Sequence, residues 1–195
     1  MPAFRRSLPL APIALVLAMP GALAQSWQVE DGSRIGFMAF QQGSPVEGRF
    51  ETFRADIGFD PDDLGNSRIE VEIDTASITT GHKDRDTTLR SSAFFDVAHW
   101  PTARFASDEL AHESGDTYEA HGQLTIRDVT REVKLPFELS IGTDPDAADR
   151  LLASAKGDVT ISRLDYGLGQ GDWASTKTVG EEVVIKIEIR ATRPR

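Results

Sequence analysis

The 195-residue sequence contains no cysteine. Disulfide bridges, thiol nucleophiles, iron–sulfur clusters and thiolate zinc sites are therefore excluded. Basic residues are also scarce, because 21 Lys and Arg stand against 31 Asp and Glu, a formal net charge of −10. Nucleic acids and anionic lipid surfaces attract clusters of Lys and Arg, so this composition argues against both as partners. The fold must be held together by its hydrophobic core alone.

A long hydrophobic run occurs only near the N-terminus. Arg5 and Arg6 precede the apolar run 10–19, and Ala22-Leu23-Ala24 provides an A-x-A cleavage site. The run is too short to span a bilayer. We therefore expect residues 1–24 to be an export signal and residues 25–195 to be one soluble periplasmic domain with no integral membrane segment. Without Arg5 and Arg6, 19 basic residues face 31 acidic ones, a formal charge of −12.

Helical periodicity is rare in the rest of the chain, where apolar and polar residues alternate. Ile69, Val71 and Ile73, for example, are separated by Glu70 and Glu72. Successive strand side chains point to opposite faces, so this pattern predicts sheets with one apolar and one wet face. Nine segments carry the pattern: 27–30, 34–40, 48–59, 68–74, 103–108, 117–127, 131–141, 151–162 and 181–191. Their short connections favour an all-β antiparallel meander closed into a barrel.

Two segments interrupt the alternation. In residues 79–97, Gly81 and Asp84 suit the start of a helix, and Pro101 ends any helix that follows. We expect one or two short helices there, laid over one opening of the barrel. Residues 164–179 are rich in glycine and include Tyr166 and Trp173, which predicts a long loop at the barrel rim.

Short motifs occur along the whole mature chain in a fixed order. They are Gly48-Arg49-Phe50, Phe59-Asp60-Pro61, Thr80-Gly81-His82, Arg85-Asp86, Leu89-Arg90-Ser91, Phe94-Phe95-Asp96-Val97, Trp100-Pro101-Thr102-Ala103-Arg104-Phe105, Gly122-Gln123-Leu124-Thr125-Ile126-Arg127-Asp128-Val129-Thr130 and Ile161-Ser162-Arg163-Leu164-Asp165-Tyr166-Gly167. In order and spacing they resemble the signature of the YceI-like family of bacterial lipid-binding proteins.

The resemblance implies an eight-stranded, lipocalin-like antiparallel β-barrel, capped at one end by one or two short helices. Its long apolar tunnel would hold a polyisoprenoid or a similar lipid chain. The nine predicted segments are then one too many, and 27–30 is expected to lead into or continue its neighbour. The chain departs from the family at two positions that could meet a head group: Phe40-Gln41 stands where a histidine is common, and Thr88 replaces another histidine.

The candidate ligand-binding residues lie on the apolar strand faces and in the two irregular segments. The apolar-face set is Phe37, Phe53, Ile57, Phe59, Ile69, Val71, Ile73, Phe105, Leu124, Ile126, Val133, Leu135, Phe137, Val159, Ile161, Ile185 and Ile187, and the irregular segments add Arg85, Phe94, Arg163, Tyr166 and Trp173. An eight-stranded barrel holds either its own side chains or one slender ligand, and alternation alone does not separate these two cases.

The polar residues that most resemble a binding site are two arginine–aspartate pairs, Arg85 with Asp86 and Arg163 with Asp165. An arginine at a tunnel mouth could hold a phosphate, carboxylate or quinone oxygen through the paired donors of its guanidinium. Alternatively, each arginine pairs with its neighbouring acid and ties loops to the barrel. We favour this structural role for Arg85 and Asp86, and leave both roles open for Arg163 and Asp165.

No catalytic or metal motif stands out. The four histidines, His82, His99, His112 and His121, lack ligand spacing, and neither a nucleophile elbow nor a carboxylate pair is recognisable. We therefore expect a binding protein without metal or cofactor that carries a long-chain isoprenoid, quinone or fatty acyl lipid. Its assembly state, monomer or homodimer, stays open. The alternatives are an interaction module for a membrane redox or stress-response partner and, less favoured, a lipid-modifying enzyme.

Overall fold

Alternating apolar and polar residues form strands over most of the chain. A computed structural model describes residues 26–195, so the expected export signal at residues 1–24 lies outside the described part. The strands are β1 (Ser26–Val29), β2 (Arg34–Gln41), β3 (Ser44–Phe50), β4 (Phe53–Gly58), β5 (Arg68–Asp74), β6 (Ile78–Thr79), β7 (Thr102–Ser114), β8 (Thr117–Ile126), β9 (Val129–Asp144), β10 (Ala147–Ser162) and β11 (Glu182–Pro194).

These strands occupy eight positions in one closed antiparallel ring. Strands β1 and β2 both pair with β11, through Gln28↔Thr192 and Ile35↔Ile187, and so share one position. Strands β3 and β4 share the next position, and β5 and β6 share the third. The single strands β7 to β11 complete the ring. The predicted eight-stranded barrel is confirmed, and the segment 27–30 continues its neighbour in the wall.

Several strand boundaries differ from the sequence prediction. The single strand expected over 48–59 is interrupted at Glu51 and Thr52, where the chain passes from β3 to β4. Strand β7 extends six residues beyond the predicted 103–108, to Ser114. The sequence did not indicate this extension, because Leu110 is the only large apolar residue in it. The β8–β9 hairpin turns at Arg127 and Asp128, and Arg127 adopts a positive φ of 57° there.

One α-helix is present among the described residues. Helix α1 (Lys83–Arg90) has Asp84 and Asp86 in its first turn, where carboxylates are favoured by the helix dipole. It ends at Arg90, well before Pro101, and turns follow as far as Trp100. We call residues 79–100 the cap segment. Four short 3-10 turns also occur, at Leu64–Asn66, Thr75–Ser77, Arg163–Tyr166 and Gly171–Trp173.

The two ends of the barrel differ. The β2–β3 and β8–β9 hairpins, the cap segment and the glycine-rich residues 163–181, called the rim loop, lie at one end, the rim end. The β7–β8 and β9–β10 hairpins lie at the far end. Aromatic rings fill that far end, where Phe59 packs edge-on against Tyr118 at 5.5 Å between centroids and Trp27 Nε1 donates to the Phe59 carbonyl at 2.8 Å. In the described part of the chain, no helix is long and apolar enough to cross a membrane.

Candidate ligand-binding tunnel

Three cavities follow one another along the barrel axis. The inner and middle cavities share Ile35, Ile73, Leu124 and Ile185 in their walls, so a ring of four aliphatic side chains separates them. The middle and outer cavities share a second set of lining residues, Phe37, Ala39, Leu89, Phe94 and Val179. The three spaces therefore form one interrupted tunnel from the aromatic far end to the rim.

The inner cavity lies in the middle of the barrel and has a volume of about 150 Å³. A single water needs roughly 10–15 Å³ on the same measure, so the barrel is hollow rather than solidly packed. Its lining side chains are apolar apart from Lys156, whose side chain is exposed outside the wall. A cavity of this size with apolar walls stays dry and favours hydrocarbon.

The middle cavity lies beneath the cap segment and has a volume of about 110 Å³. Phe94 and Phe95 enter it from the turns that follow helix α1, and Leu168 enters it from the rim loop. Phe50 packs edge-on against Phe95, with 5.7 Å between ring centroids. The roof of the tunnel is therefore made of side chains from the two segments that interrupt the strand pattern.

The outer cavity is larger, about 400 Å³, and is the polar part of the tunnel. Its walls combine apolar residues of β2, β3 and the rim loop with one face of helix α1. The polar members are Gln41, His82, Asp84, Arg85 and Thr88. Arg85 is half-buried there and forms no hydrogen bond or ion pair with another described residue. It presents an unpaired guanidinium at the mouth of an apolar tunnel.

Arg163 ties the rim loop together from inside. It is 2% exposed and donates to five backbone carbonyls. The acceptors, with their distances, are Gly180 (2.8 Å), Leu168 (2.7 Å), Gly169 (3.4 Å), Trp173 (2.9 Å) and Val179 (2.9 Å). Burial lowers the pKa of this guanidinium, which nevertheless stays protonated at neutral pH. These carbonyls occupy all five N–H donors of Arg163, which favours the structural role over the head-group role.

A second arginine joins the rim loop to the cap segment. Arg127 Nη1 donates to the carbonyls of Phe94, at 3.0 Å, and Gly167, at 2.7 Å, while its guanidinium lies 4.5 Å from the centroid of the Trp100 ring. The backbone amide of Gly169 also donates to the Ala93 carbonyl, at 2.7 Å. The roof of the tunnel is therefore one connected unit.

Asp86 fixes the start of helix α1, as part of the structural role expected for it. Its carboxylate accepts hydrogen bonds from the Thr80 amide (2.8 Å), the Thr80 hydroxyl (2.6 Å) and the Thr79 hydroxyl (3.1 Å). Burial would raise the pKa of Asp86, but these hydrogen bonds and the nearby charge of Arg90 outweigh it and hold the pKa below its ordinary value. The expected Arg85–Asp86 pair does not form, because Asp86 turns towards the two threonines.

Most of the candidate residues line one of the three cavities. The inner cavity contains Ile57, Phe59, Ile69, Val71, Ile73, Phe105, Leu124, Val133, Leu135, Phe137, Val159, Ile185 and Ile187. The middle cavity contains Phe37, Phe94, Ile126, Ile161 and Arg163, and the outer one contains Arg85 and Trp173.

Two candidates line none of these three cavities. Phe53 is the first residue of β4, beside the interruption at Glu51 and Thr52. Tyr166 is 2% exposed and turns into the core from the 3-10 turn Arg163–Tyr166. Asp165 is drawn towards Arg131, whose Nε donates to the Asp165 carbonyl at 3.1 Å.

The sequence reasoning missed several lining residues. The apolar ones in strands are Trp27, Ile35, Ala39, Phe40, Val46, Phe50, Ala55, Ala103, Leu139, Ala153, Ala155, Val183, Ile189 and Ala191. Leu139 and Ile189 continue the same alternation by two residues, so the existing signal would have found them. Leu89 lies on the short helix α1. Leu168 and Val179 lie in the rim loop, where no periodicity indicates which side chains point inward.

Both departures from the family pattern lie in the outer cavity. Gln41 lines its wall from the end of β2, and Thr88 lines it from the second turn of helix α1. The changed positions therefore meet the same space as Arg85. Elsewhere in the described residues, no group of three or more His, Asp or Glu side chains is placed to hold a metal ion.

Comparison with known proteins places this architecture in a family. Residues 27–191 match the model of the YceI-like domain. A UPF0312 protein of Vibrio parahaemolyticus is 30% identical over 170 residues, which cover 84% of this chain and 89% of that protein. The crystal structure of Burkholderia cenocepacia BcnA is similar with a TM-score of 0.76 and 28% identity, covering 84% of this chain and 99% of that one.

A further structure shares the fold at lower identity. A polyisoprenoid-binding domain from Saccharophagus degradans has a TM-score of 0.65 and 17% identity, covering 88% of this chain and 99% of that domain. The closed barrel, its interrupted axial tunnel and the match over almost all of the described chain lead to one conclusion. This chain belongs to the YceI-like family.

Proposed function

We propose that the protein binds and carries an amphiphile with one long apolar chain, such as a polyisoprenoid, a quinone or a fatty acyl compound. The observation that carries this proposal is the series of three cavities, two of them apolar and the outermost polar. The tail occupies the inner and middle cavities, and the head remains in the outer cavity. Binding of this kind needs neither a metal nor a catalytic group.

Burial of the tail supplies the driving force. Each methylene removed from water contributes about 0.8 kcal/mol, and part of this gain is lost in ordering the chain. The side chains of Ile35, Ile73, Leu124 and Ile185 lie between the inner and middle cavities, so a tail that occupies both cavities has to pass between them. A slender chain fits such a path by moving a few aliphatic rotamers, whereas a bulky fused-ring compound does not.

The head is held beside Arg85. Arg85 is half-buried, its side chain has no hydrogen-bond or ion-pair partner among the described residues, and it lines the only cavity of the three that has several polar residues in its walls. Partial burial strengthens a charge-assisted hydrogen bond relative to one in bulk water. Asp84 lies in the same wall and weakens the attraction for anions. A phosphate, a carboxylate or a quinone oxygen would each match this donor.

We further propose that the carrier works in the periplasm. This part of the proposal rests on the sequence of residues 1–24, with its Arg5-Arg6 start and its Ala22-Leu23-Ala24 cleavage site. Fractionation of the producing bacterium tests it. The mature protein should begin at Gln25 and appear in the periplasmic fraction, whereas an uncleaved chain in the cytosol would contradict the export proposal.

Native mass spectrometry of protein purified from its own host tests the carrier function. A co-purifying lipid of one long chain, released on collisional activation, supports it. If no lipid co-purifies and the protein also takes up neither a fluorescent fatty acid nor a quinone analogue, the carrier function is wrong. The remaining candidate is then an interaction module that uses its outer surface.

A further inference from the structure

A hairpin projects from the barrel beside the mouth of the tunnel. The last pair between β2 and β11 is Met38↔Val184, and the last pair between β3 and β6 is Arg49↔Thr79. The β2–β3 ladder itself continues to Gln41↔Ser44. At about 3.3 Å per residue, the tip therefore extends roughly 10 Å beyond the last strand partner of β2.

The tip carries an unusual apolar side chain. Phe40 is 44% exposed, and among residues 26–195 it is the only large hydrophobic residue that is exposed. Pro45, which is also exposed, lies directly opposite it across the ladder. Phe40 also lines the outer cavity, so its partly exposed ring lies at the edge of the tunnel mouth. Leaving a large aromatic ring in water is unfavourable, and an apolar surface that covered it would gain from the contact.

The hairpin is held firmly in place. The Gly180 amide donates to the Phe40 carbonyl at 2.8 Å, and the Gln42 amide donates to the Thr178 carbonyl at 2.9 Å. Gln42 and Gly43 form the turn with positive φ values of 51° and 79°, which suit a tight two-residue hairpin. The exposed ring is thus presented by an ordered element joined to the rim loop.

The charge around this mouth differs from that of the whole chain. The cap segment and rim loop together contain five basic and six acidic residues, a formal charge of −1. The basic ones are Lys83, Arg85, Arg90, Arg163 and Lys177, and the acidic ones are Asp84, Asp86, Asp96, Asp165, Asp172 and Glu181. Residues 25–195 as a whole carry a formal charge of −12. A nearly neutral, aromatic-tipped rim can approach lipid head groups that would repel the acidic body of the barrel.

We propose that the β2–β3 hairpin and the adjoining rim form a docking surface for a phospholipid bilayer. The ring of Phe40 enters the interfacial region of the bilayer, where aromatic side chains are favoured, and the tunnel mouth then faces the lipids. This inference rests on the proposed function, because a cargo with a long apolar tail has to be collected from a membrane. Contact through one apolar tip gives weak, reversible docking, as a carrier requires.

Transfer kinetics test the docking surface. The protein is loaded with a dansyl-labelled undecanoic acid and mixed with phosphatidylcholine vesicles that contain a quencher. Transfer by collision has a rate proportional to vesicle concentration, whereas transfer through water does not. We expect proportionality for the wild-type protein, and a slope about tenfold lower for Phe40→Ser, since most of one aromatic insertion is lost.

One substitution at two hairpins supplies the matched control. Ser44 and Ser114 are both exposed residues beside two-residue turns, Ser44 at the rim end and Ser114 at the far end. Ser44 lines none of the three cavities, so Ser44→Asp should keep the equilibrium affinity for the probe but lower the transfer slope at least about threefold, because the new carboxylate must enter the interface. Ser114→Asp should change neither quantity.

The outcomes separate this inference from the carrier function. A wild-type rate independent of vesicle concentration, or equal slopes for Ser44→Asp and Ser114→Asp, would overturn the docking surface while leaving lipid binding intact. If the wild-type protein takes up no probe, the result counts against a fatty acyl cargo, and the native mass spectrometry decides the carrier function. Sedimentation with phosphatidylcholine vesicles then tests docking directly, and equal pelleting of wild type and Phe40→Ser would overturn it.

Discussion

The guanidinium of Arg163 occupies the space where a side chain on Gly169 would stand. A Cβ placed on Gly169 would lie 2.1 Å from Arg163 Nη1, and Gly169 has a φ of +84°. The rim loop therefore depends on a glycine for two reasons, which are the left-handed backbone and the close approach of the buried arginine. Gly171 has a φ of +61° and no atom near the position of a Cβ, so only the left-handed backbone favours glycine there.

This contrast predicts different costs for two alanine substitutions. Gly171→Ala should lower the free energy of unfolding by about 1–2 kcal/mol, the cost of a left-handed residue with a Cβ. Gly169→Ala should cost about 3 kcal/mol or more, because it also displaces a buried charge from its carbonyl partners. Urea unfolding measures both values. Equal costs at the two positions would show that the rim loop does not depend on the position of Arg163.

Filling the inner cavity should stabilise the empty protein and impair binding of long chains. Ala155 lines this cavity, and Ala155→Phe should raise the free energy of unfolding by about 0.5–2 kcal/mol, as cavity-filling substitutions commonly do. Its affinity for palmitate should fall about tenfold or more, because part of the tail is excluded, while that for octanoate should fall less.

The adjacent position is the control for this substitution. Ser154 pairs with Ser140 and Arg190 on the outer face, so Ser154→Phe should leave palmitate affinity unchanged. Titration calorimetry with both fatty acids provides the comparison. Full palmitate affinity in Ala155→Phe would mean that the tail does not reach the inner cavity.

Arg85 should discriminate between head groups. Arg85→Gln removes the charge beside the outer cavity and should weaken palmitate binding about tenfold, the effect of losing one charge-assisted hydrogen bond. Binding of hexadecanol, which has the same chain but no charge, should change less than about twofold. Lys83→Gln is the control, because Lys83 is exposed two residues earlier and lines none of the three cavities. If Arg85→Gln lost affinity for palmitate and for hexadecanol equally, Arg85 would have no role in recognising the head group.

Asp86 should make the attachment of helix α1 depend on pH. Its pKa is lowered in the folded state, so the stability it contributes is present above the unfolded-state pKa of about 3.9 and is lost as pH falls through the lower folded-state value. At pH 7, Asp86→Asn should lower the free energy of unfolding by about 1–3 kcal/mol, since the carboxylate acceptors of three hydrogen bonds are altered.

Lowering the pH should narrow the difference in the free energy of unfolding between wild type and Asp86→Asn. Urea unfolding at pH 7 and pH 3 measures this change. Asp84→Asn is the control, because the exposed Asp84 carboxylate accepts no hydrogen bond from the described residues. A gap between wild type and Asp86→Asn that is constant from pH 7 to pH 3 would contradict the role of the ionised carboxylate.

Much of the barrel wall was predictable, because side chains along every strand alternate between the inner and the outer face. Val71 and Phe105 are cross-strand partners in the β5–β7 register and line the inner cavity, as their alternation predicted. The break at Glu51 and Thr52 has a sequence signal that the prediction missed, because two polar residues separate Phe50 from Phe53 and the alternation changes phase there. Whether the interior was hollow also lay outside the pattern, because it depends on side-chain volume in three dimensions.

The roof was less predictable for a different reason. Arg163 was equally compatible with a ligand and with a structural role, because its five acceptors are main-chain carbonyls and carbonyls have no sequence signature. Asp86 was expected to pair with the adjacent Arg85, but consecutive residues on a helix point in different directions. Its actual partners, Thr79 and Thr80, precede the helix.

A crystal structure of the protein with bound palmitate tests the central claim most directly. We predict continuous density for one extended chain that passes the ring of Ile35, Ile73, Leu124 and Ile185, with its carboxylate within hydrogen-bonding distance of Arg85. An interior closed by its own side chains, with palmitate absent or confined to the outer surface, would contradict the account.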